Sequence, residues 1–290
     1  MKQTSRPQTN TSAQASFLKW AGSKRRLLRQ LLPLLPPAQR LIEPFVGAGN
    51  VFLATDYPEY LLADSNPVLI ACFQALRDDT DAFIERCAAL FSPRHHNADA
   101  YATLRARYNA PETQVEERTA LFLYINKFGY NGLYRENQKG HCNTPYGHPK
   151  SLPILPEHAM RAVARRLPGV DLQCGDFEEV MRRVQPGDLV YCDPPYAPLN
   201  ETASFIGYGA QGFNWADQRR LADMARLLAA RGVTVVVSNH DTPATRVLYS
   251  GAQLHSLTAY RSISRDSTTR GQASELVAIF DGHCLAHVAA

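Results

Sequence analysis

A chain of 290 residues with 45% hydrophobic content carries enough apolar material for one or two packed domains. Charged residues make up 20% and nearly balance at +4, which permits a nucleic-acid partner without demanding one. No apolar run approaches the ~20 residues of a membrane span, and the six cysteines are scattered without a Cys-x-x-Cys pair, which disfavours a disulfide scaffold and a zinc site.

Residues 1–16 are rich in Gln, Thr and Ser, hold no apolar secretory core and read as a disordered tail. The first patterned stretch is Phe17-Leu18-Lys19-Trp20-Ala21-Gly22-Ser23-Lys24. Its small Ala-Gly-Ser turn can bring an aromatic face and an ammonium to one ligand. Equally, Leu27, Leu28, Leu31 and Leu32 give the spacing of an ordinary helix over 25–35. A short strand over 40–45 runs into Val46-Gly47-Ala48-Gly49-Asn50 and then a helix. Strand, glycine turn and helix form a nucleotide cradle, because glycine lets the backbone approach a ligand and the helix start offers free N–H groups. The third glycine of a dinucleotide fingerprint and the Gly-Lys-Ser/Thr of a P-loop are both missing. A second strand over 60–63 ends in Asp64, seventeen residues after Gly47. An acidic residue there can accept both ribose hydroxyls of a nucleoside, or it can cap the helix opened by Asn66-Pro67. With the glycine turn in place, ribose is the favoured reading.

From 68 to 127 the pattern is helical. His95-His96 lacks carboxylate or cysteine partners at ligand spacing and reads as surface loop. The stretches 101–109 and 120–127 mix basic and aromatic residues. In 128–147, Gly, Asn and Pro alternate with Tyr and Arg, which predicts a turn-rich segment with a hairpin. Its flat and cationic side chains can stack on bases, contact phosphates or read guanine; the same composition also suits a structural loop. A strand over 170–174 ends in Gly175-Asp176-Phe177, followed by a helix over 178–184.

A buried strand over 188–192 then ends in Asp193-Pro194-Pro195-Tyr196. The prolines halt the strand and supply no N–H, so the carbonyls of the turn can accept bonds from elsewhere. A carboxylate, free carbonyls and an aromatic face suit a planar ring bearing an amino group. A proline turn or a peptide-docking motif would carry the same letters. Residues 199–212 read as a loop over this site, 214–231 as an amphipathic helix, and 233–237 as a buried strand ending in Ser238-Asn239-His240-Asp241. Two antiparallel strands are expected at 252–259 and 274–280, joined by 261–270.

The chain is therefore α/β at both ends, with a helical block between Asn66 and about Leu167. Gly47, Asp64, Asp176 and Asp193 all fall at strand carboxyl ends, where open parallel sheets bind ligands. A nucleoside-type cofactor beside an acceptor pair suggests group transfer to a ring amine. The lone pair of such an amine is conjugated into the ring. Bonds from its N–H groups to Asp193 and a Pro194 carbonyl would draw the nitrogen toward tetrahedral geometry, a gain made in the transition state. A base inside a duplex must be flipped out to reach such a pocket, and Tyr196 is the natural stacking platform.

In their order along the chain, Lys-Trp-Ala-Gly, Glu-Pro-Phe-Val-Gly-Ala-Gly, Ala-Asp-x-Asn, Tyr-Asn-Gly-Leu-x-Arg, Gly-Asp-Phe, Asp-Pro-Pro-Tyr, Ser-Asn-His-Asp-Thr and Arg-Ser-Ile-Ser resemble the Dam-type (D12 class) DNA adenine N6-methyltransferases. The resemblance covers 17–280. It implies a Rossmann-like class I methyltransferase sheet at 17–66 and 168–282, with 67–167 as an inserted, mostly helical target-recognition domain carrying a hairpin. It implies S-adenosylmethionine as cofactor, S-adenosylhomocysteine as product and no metal. The implied partner is double-stranded DNA, not a membrane, for a monomer in the cytoplasm associated with the nucleoid. Trp20, Lys24, Asp64 and Asp193 would contact the cofactor, Phe45, Gly47 and Gly49 would shape its pocket, and Asp176 and Phe177 would hold its adenine. Asp193, Pro194 and Tyr196 would be catalytic. Lys19, Leu133 and Arg135 would read bases, Tyr130 and Asn131 would enter the stack, and Arg105, Lys127, Asn137 and Asn143 would contact phosphates. The implied target is GATC. Ser23, Tyr134 and Glu136 depart from the family pattern. Cytosine N4-methylation and a catalytically dead DNA-binding homologue are the alternatives.

Overall fold

The computed structural model describes residues 15–197, 213–260 and 272–282. Seven strands form one sheet: β1 (Arg40–Glu43), β2 (Glu59–Asp64), β3 (Asp171–Cys174), β4 (Asp188–Cys192), β5 (Thr234–His240), β6 (Gln253–Tyr260) and β7 (Gln272–Phe280). Their order is β3-β2-β1-β4-β5-β7-β6. Five strands run parallel, and β7 enters antiparallel between β5 and β6. The two last strands thus pair as their sequence pattern predicts, out of chain order. The expected segments at 199–212 and 261–270 lie outside the described residues.

Parallel strands covered on both faces read as continuous apolar runs, and β1, β2 and β4 do. Ile42 stands in register with Leu61 on one side and Val190 on the other. These three join Val235 and Val237 in an apolar layer with α8 (Phe177–Met181) and α9 (Trp215–Ala230). The opposite pleat, with Leu41, Leu62, Leu189 and Tyr191, packs under α2 (Asn50–Ala54), α3 (Pro67–Asp78) and α6 (Val115–Phe128). Burying one such side chain stabilises by about 1.5–3 kcal/mol.

The helical block also contains α4 (Thr80–Leu90) and α5 (Ala98–Asn109), packed on α6, and α7 (Glu157–Ala164), packed on α3 and α4. α3 touches β2 and β3 as well as α6, so residues 67–167 share one continuous apolar core with the sheet. The α6 helix is apolar almost all round, with Leu121, Phe122, Leu123, Tyr124 and Ile125 all buried, as a central helix must be.

The ordinary helix that the leucine spacing offers over 25–35 as one of two readings is broken. Short 3-10 turns at Lys24–Arg26 and Leu32–Leu34 flank α1 (Leu28–Leu31). Pro33 cannot donate a helical bond, and Pro36 and Pro37 follow it. The hairpin expected in 128–147 is present as antiparallel bridges Gly129↔Tyr146 and Glu136↔Cys142.

Candidate active site

A cleft of about 830 Å³ opens at the carboxyl ends of the parallel strands. It is lined by Trp20, Lys24, Phe45, Gly47, Asp64, Asp176, Phe177, Asp193, Pro194 and Tyr196, drawn from five separate segments. Gly49 is not in the lining. Its φ of +68° makes the N-cap turn of α2, and a Cβ there would lie against Phe73, so it shapes the turn through its backbone.

At the first turn, the Gly47 N–H donates to Asp64 Oδ2 at 3.1 Å, and the Asn66 N–H donates to Oδ1 at 3.0 Å. Burial pushes the Asp64 pKa up while these N–H bonds pull it down. The helix-capping alternative for Asp64 fails, because Asn66 caps α3, accepting from Val68 and Leu69 N–H groups, with Pro67 at the first helical position. A carboxylate offers about four lone-pair sites, so Asp64 keeps acceptor capacity. Gly47, at φ +48°, carries the Trp20 indole directly above it: a Cβ would meet Nε1 at 2.8 Å.

The second part of the cleft is aromatic. The Phe45 and Phe177 rings stack at 5.3 Å, and Phe213 sits edge-on to Phe45 at 5.6 Å. Asp176 caps α8 and also accepts from Arg220 at 2.8 Å. The Arg220 guanidinium lies 4.9 Å over the Phe177 ring and holds Glu178 and Asp217 as well. It braces Phe177 and Asp176 from outside the lining, and sequence reasoning missed it.

The third part centres on Asp193. The Lys24 ammonium, 3% exposed, pairs with Asp193 Oδ1 at 2.7 Å, donates to the Gly22 carbonyl at 3.1 Å and lies 4.5 Å over the Tyr196 ring. Burial pushes Asp193 up to about 6, against the pull of Lys24. Glu43, at the end of β1, is driven up to about 8 by burial, opposed by a bond from the Phe52 backbone and reinforced by the Asp193 charge. Its Oε1 is buried and has no hydrogen-bond partner among the described residues.

Two buried amides fix the Asp-Pro-Pro-Tyr turn. Gln218 Nε2 donates to the Pro195 carbonyl at 2.8 Å, and the Ala197 N–H donates to Asn239 Oδ1 at 3.0 Å. Asn239 Nδ2 in turn donates to Gln218 Oε1 and the Tyr249 hydroxyl. The Pro194 carbonyl accepts no bond among the described residues. Asn239 belongs to a motif visible in the sequence, but Gln218 sits in an ordinary amphipathic helix whose letters do not distinguish it.

The residues expected to meet DNA divide into two groups. Tyr130 and Leu133 are exposed apolar side chains, 52% and 42% accessible, on the hairpin beside Asn131, whose φ is +53°. Lys19 is exposed and tied to the hairpin: a Cβ on Gly132 would meet Lys19 Cβ at 2.5 Å. Buried Asn126 holds both, accepting from the Lys19 N–H and donating to the Lys19 and Gly132 carbonyls. The second group is bound to the hairpin itself. Arg135 donates to Asn143 Oδ1 at 2.7 Å, Arg105 to the Thr144 carbonyl at 2.6 Å, and Asn137 accepts from the Lys139 and His141 N–H groups. Glu136 pairs with the Tyr134 hydroxyl, which also meets that of Tyr108. Burial, with Lys19 nearby, pushes Lys127 down to about 8.

The strand order, the antiparallel β7 and the cleft at the strand ends define a Rossmann-like class I methyltransferase fold. The chain belongs to the D12 class N6 adenine-specific DNA methyltransferases, whose family profile matches residues 20–263. It is 43% identical to the DNA adenine methylase of Vibrio cholerae over 271 residues, covering 93% of this chain and 97% of that protein. It is 40% identical to the Escherichia coli DNA adenine methylase over 265 residues (91% and 95%), and 41% identical to that of Serratia marcescens over 266 residues (91% and 98%). No described helix is long and apolar enough to cross a membrane, and no cluster of three metal-ligating side chains occurs among the described residues.

Proposed function

We propose that this protein is a site-specific methyltransferase that moves a methyl group from S-adenosylmethionine to N6 of an adenine flipped out of duplex DNA, within GATC. The residues present fit the cofactor. Asp64 keeps acceptor sites for ribose hydroxyls, Asp176 and the Phe45–Phe177 stack suit an adenine ring, and the unpartnered Glu43 oxygen is a buried polar atom lining the same cleft. The bound cofactor supplies an electrophilic methyl on a sulfonium. Trp20, Lys24 and Gly47 would complete its pocket.

The observation that carries the reading is the Asp-Pro-Pro-Tyr turn. Its Pro195 and Ala197 groups are tied to Gln218 and Asn239, while Asp193 and Pro194 line the cleft. An amine entering there donates one N–H to the Asp193 carboxylate and one to the Pro194 carbonyl. Both bonds strengthen as nitrogen becomes tetrahedral, so they act on the transition state rather than the ground state. Asp193 would take up the surplus proton of the methylated amine along the same bond. Tyr196 gives the flipped base a stacking face, and the fixed turn supplies orientation.

On the DNA side, Lys19, Leu133 and Arg135 read base edges, Tyr130 and Asn131 enter the stack, and Arg105, Lys127, Asn137 and Asn143 approach phosphates. The block 67–167 acts as the recognition unit of a monomer working in the cytoplasm on the nucleoid. Single-base mapping of methylation on a plasmid library tests the whole reading. N6-methyladenine confined to GATC is expected; modification confined to another motif, or N4-methylcytosine alone, contradicts it.

A further inference from the structure

We propose that Glu275 is a positioning residue for methyl transfer: it keeps the Tyr196 hydroxyl and the Lys24 ammonium in place, so that Asp193 stays available to the target amine. The inference rests on the reading just given. Glu275 lies in β7, in register with His240 of β5, so the antiparallel strand brings it behind the lining residues Tyr196 and Lys24 from a part of the chain remote from Asp193. Its side chain is 17% exposed. Glu275 Oε2 accepts from the Tyr196 hydroxyl at 2.7 Å and stands 3.8 Å from Lys24 Nζ.

The chemistry gives this contact a purpose. A largely buried phenol must find an acceptor. Two carboxylates are within reach of the Tyr196 hydroxyl, Glu275 and Asp193. A hydroxyl turned toward Asp193 would compete with the amine for the same carboxylate and swing the stacking ring with it. Glu275 draws the hydroxyl to itself and weakens that competition. It also gives Lys24 a second anion, steadying the ammonium over the Tyr196 ring. The charged and titratable groups around Asp193 are Lys24, Glu275, Tyr196, Tyr191, Cys192 and Glu43, with His240 against the Tyr196 ring; the Glu275 charge adds to the upward push on Asp193. Neutralising Glu275 therefore lowers the Asp193 pKa.

The test measures single-turnover methyl transfer to duplex DNA, with cofactor and duplex dissociation constants and melting temperature measured alongside. In Glu275→Ala, the transfer rate falls at least about tenfold while both dissociation constants stay within about twofold. Glu275→Gln keeps an acceptor for the phenol, restores most of the rate at pH 8 and moves the acid limb of the rate profile to lower pH. In a Tyr196→Phe background, Glu275→Ala costs less than about threefold, because the competing hydroxyl is already gone. A wild-type rate in Glu275→Ala overturns the inference, as does an equal loss in the Tyr196→Phe background. So does loss of cofactor binding and melting temperature together, without rescue by Gln. A wild-type protein that transfers no methyl to DNA overturns the function itself and this inference with it; an active wild type with an indifferent Glu275 overturns the inference alone.

Discussion

The cleft and the hairpin use polar side chains in opposite ways. In the cleft, the polar groups are sunk into the sheet's carboxyl edge, and Lys24, Asn239 and Gln218 are almost fully buried. Each is held by groups from distant parts of the chain. On the hairpin, Arg135, Asn137 and Asn143 are bonded within a single turn-rich segment, and Tyr130 and Leu133 stand out in solvent. A transition state needs acceptors fixed before the reaction, since they gain nothing if they must reorganise. A recognition surface can release a local bond such as Arg135–Asn143 in exchange for a base edge. The difference predicts large, stability-coupled effects in the cleft and smaller, separable effects on the hairpin.

Glu43 is the sharpest probe of the buried side. Its pKa is raised in the fold to about 8, so the folded state keeps a proton that the unfolded state sheds near 4.5. Wild-type stability therefore falls as pH rises from about 4.5 to 8. Glu43→Gln removes that loss: the cofactor-free variant gains on the order of a few kcal/mol at pH 9 and little at pH 5, as denaturant titrations at the two pH values would record. A pH-independent difference would break the contrast on its strongest side.

Arg135→Ala tests the surface side. Discrimination at one base pair drops by about 1–3 kcal/mol if the side chain forks onto guanine, with folding unaffected. Competition binding with single-base variants measures it, and an unchanged preference at every position removes Arg135 from the reading role. Lys127 lies between the two regimes. Its pKa is pushed down to about 8, so at neutral pH the folded protein carries a desolvated charge that the unfolded chain holds freely up to about 10.5. Lys127→Met should leave neutral-pH stability equal or higher and reduce the salt slope of DNA binding by about 1. A lower melting temperature with an unaltered slope would reverse that assignment.

The fold was legible where local chemistry decides it. The apolar runs of β4 and β5 and the glycine turn after β1 are short-range signals, and the structure follows them. Asp64 was ambiguous because Asn66 and Pro67 form a helix start two residues later, and only the Asn66 capping bonds separate the two roles. Gly49 looked like a pocket glycine, yet its backbone serves the helix start. Arg220, Gln218, Asn126 and Glu275 were invisible for a shared reason: each acts on a residue brought close only by the sheet or the helical block. Glu275 left the one usable trace, a charge leading the apolar run Leu276-Val277-Ala278-Ile279. Leucine spacing at 25–35 misled because proline chemistry outweighs periodicity.

The central claim is that Asp193 and Pro194 form the place where the amine is drawn out of conjugation. Single-turnover transfer of labelled methyl to a duplex containing GATC, with nucleoside analysis of the product, tests it in wild type and Asp193→Ala. Label on adenine N6 is expected in the wild type, with a loss of at least about 10²-fold in the variant, which still binds duplex. Transfer by Asp193→Ala at the wild-type rate would contradict it.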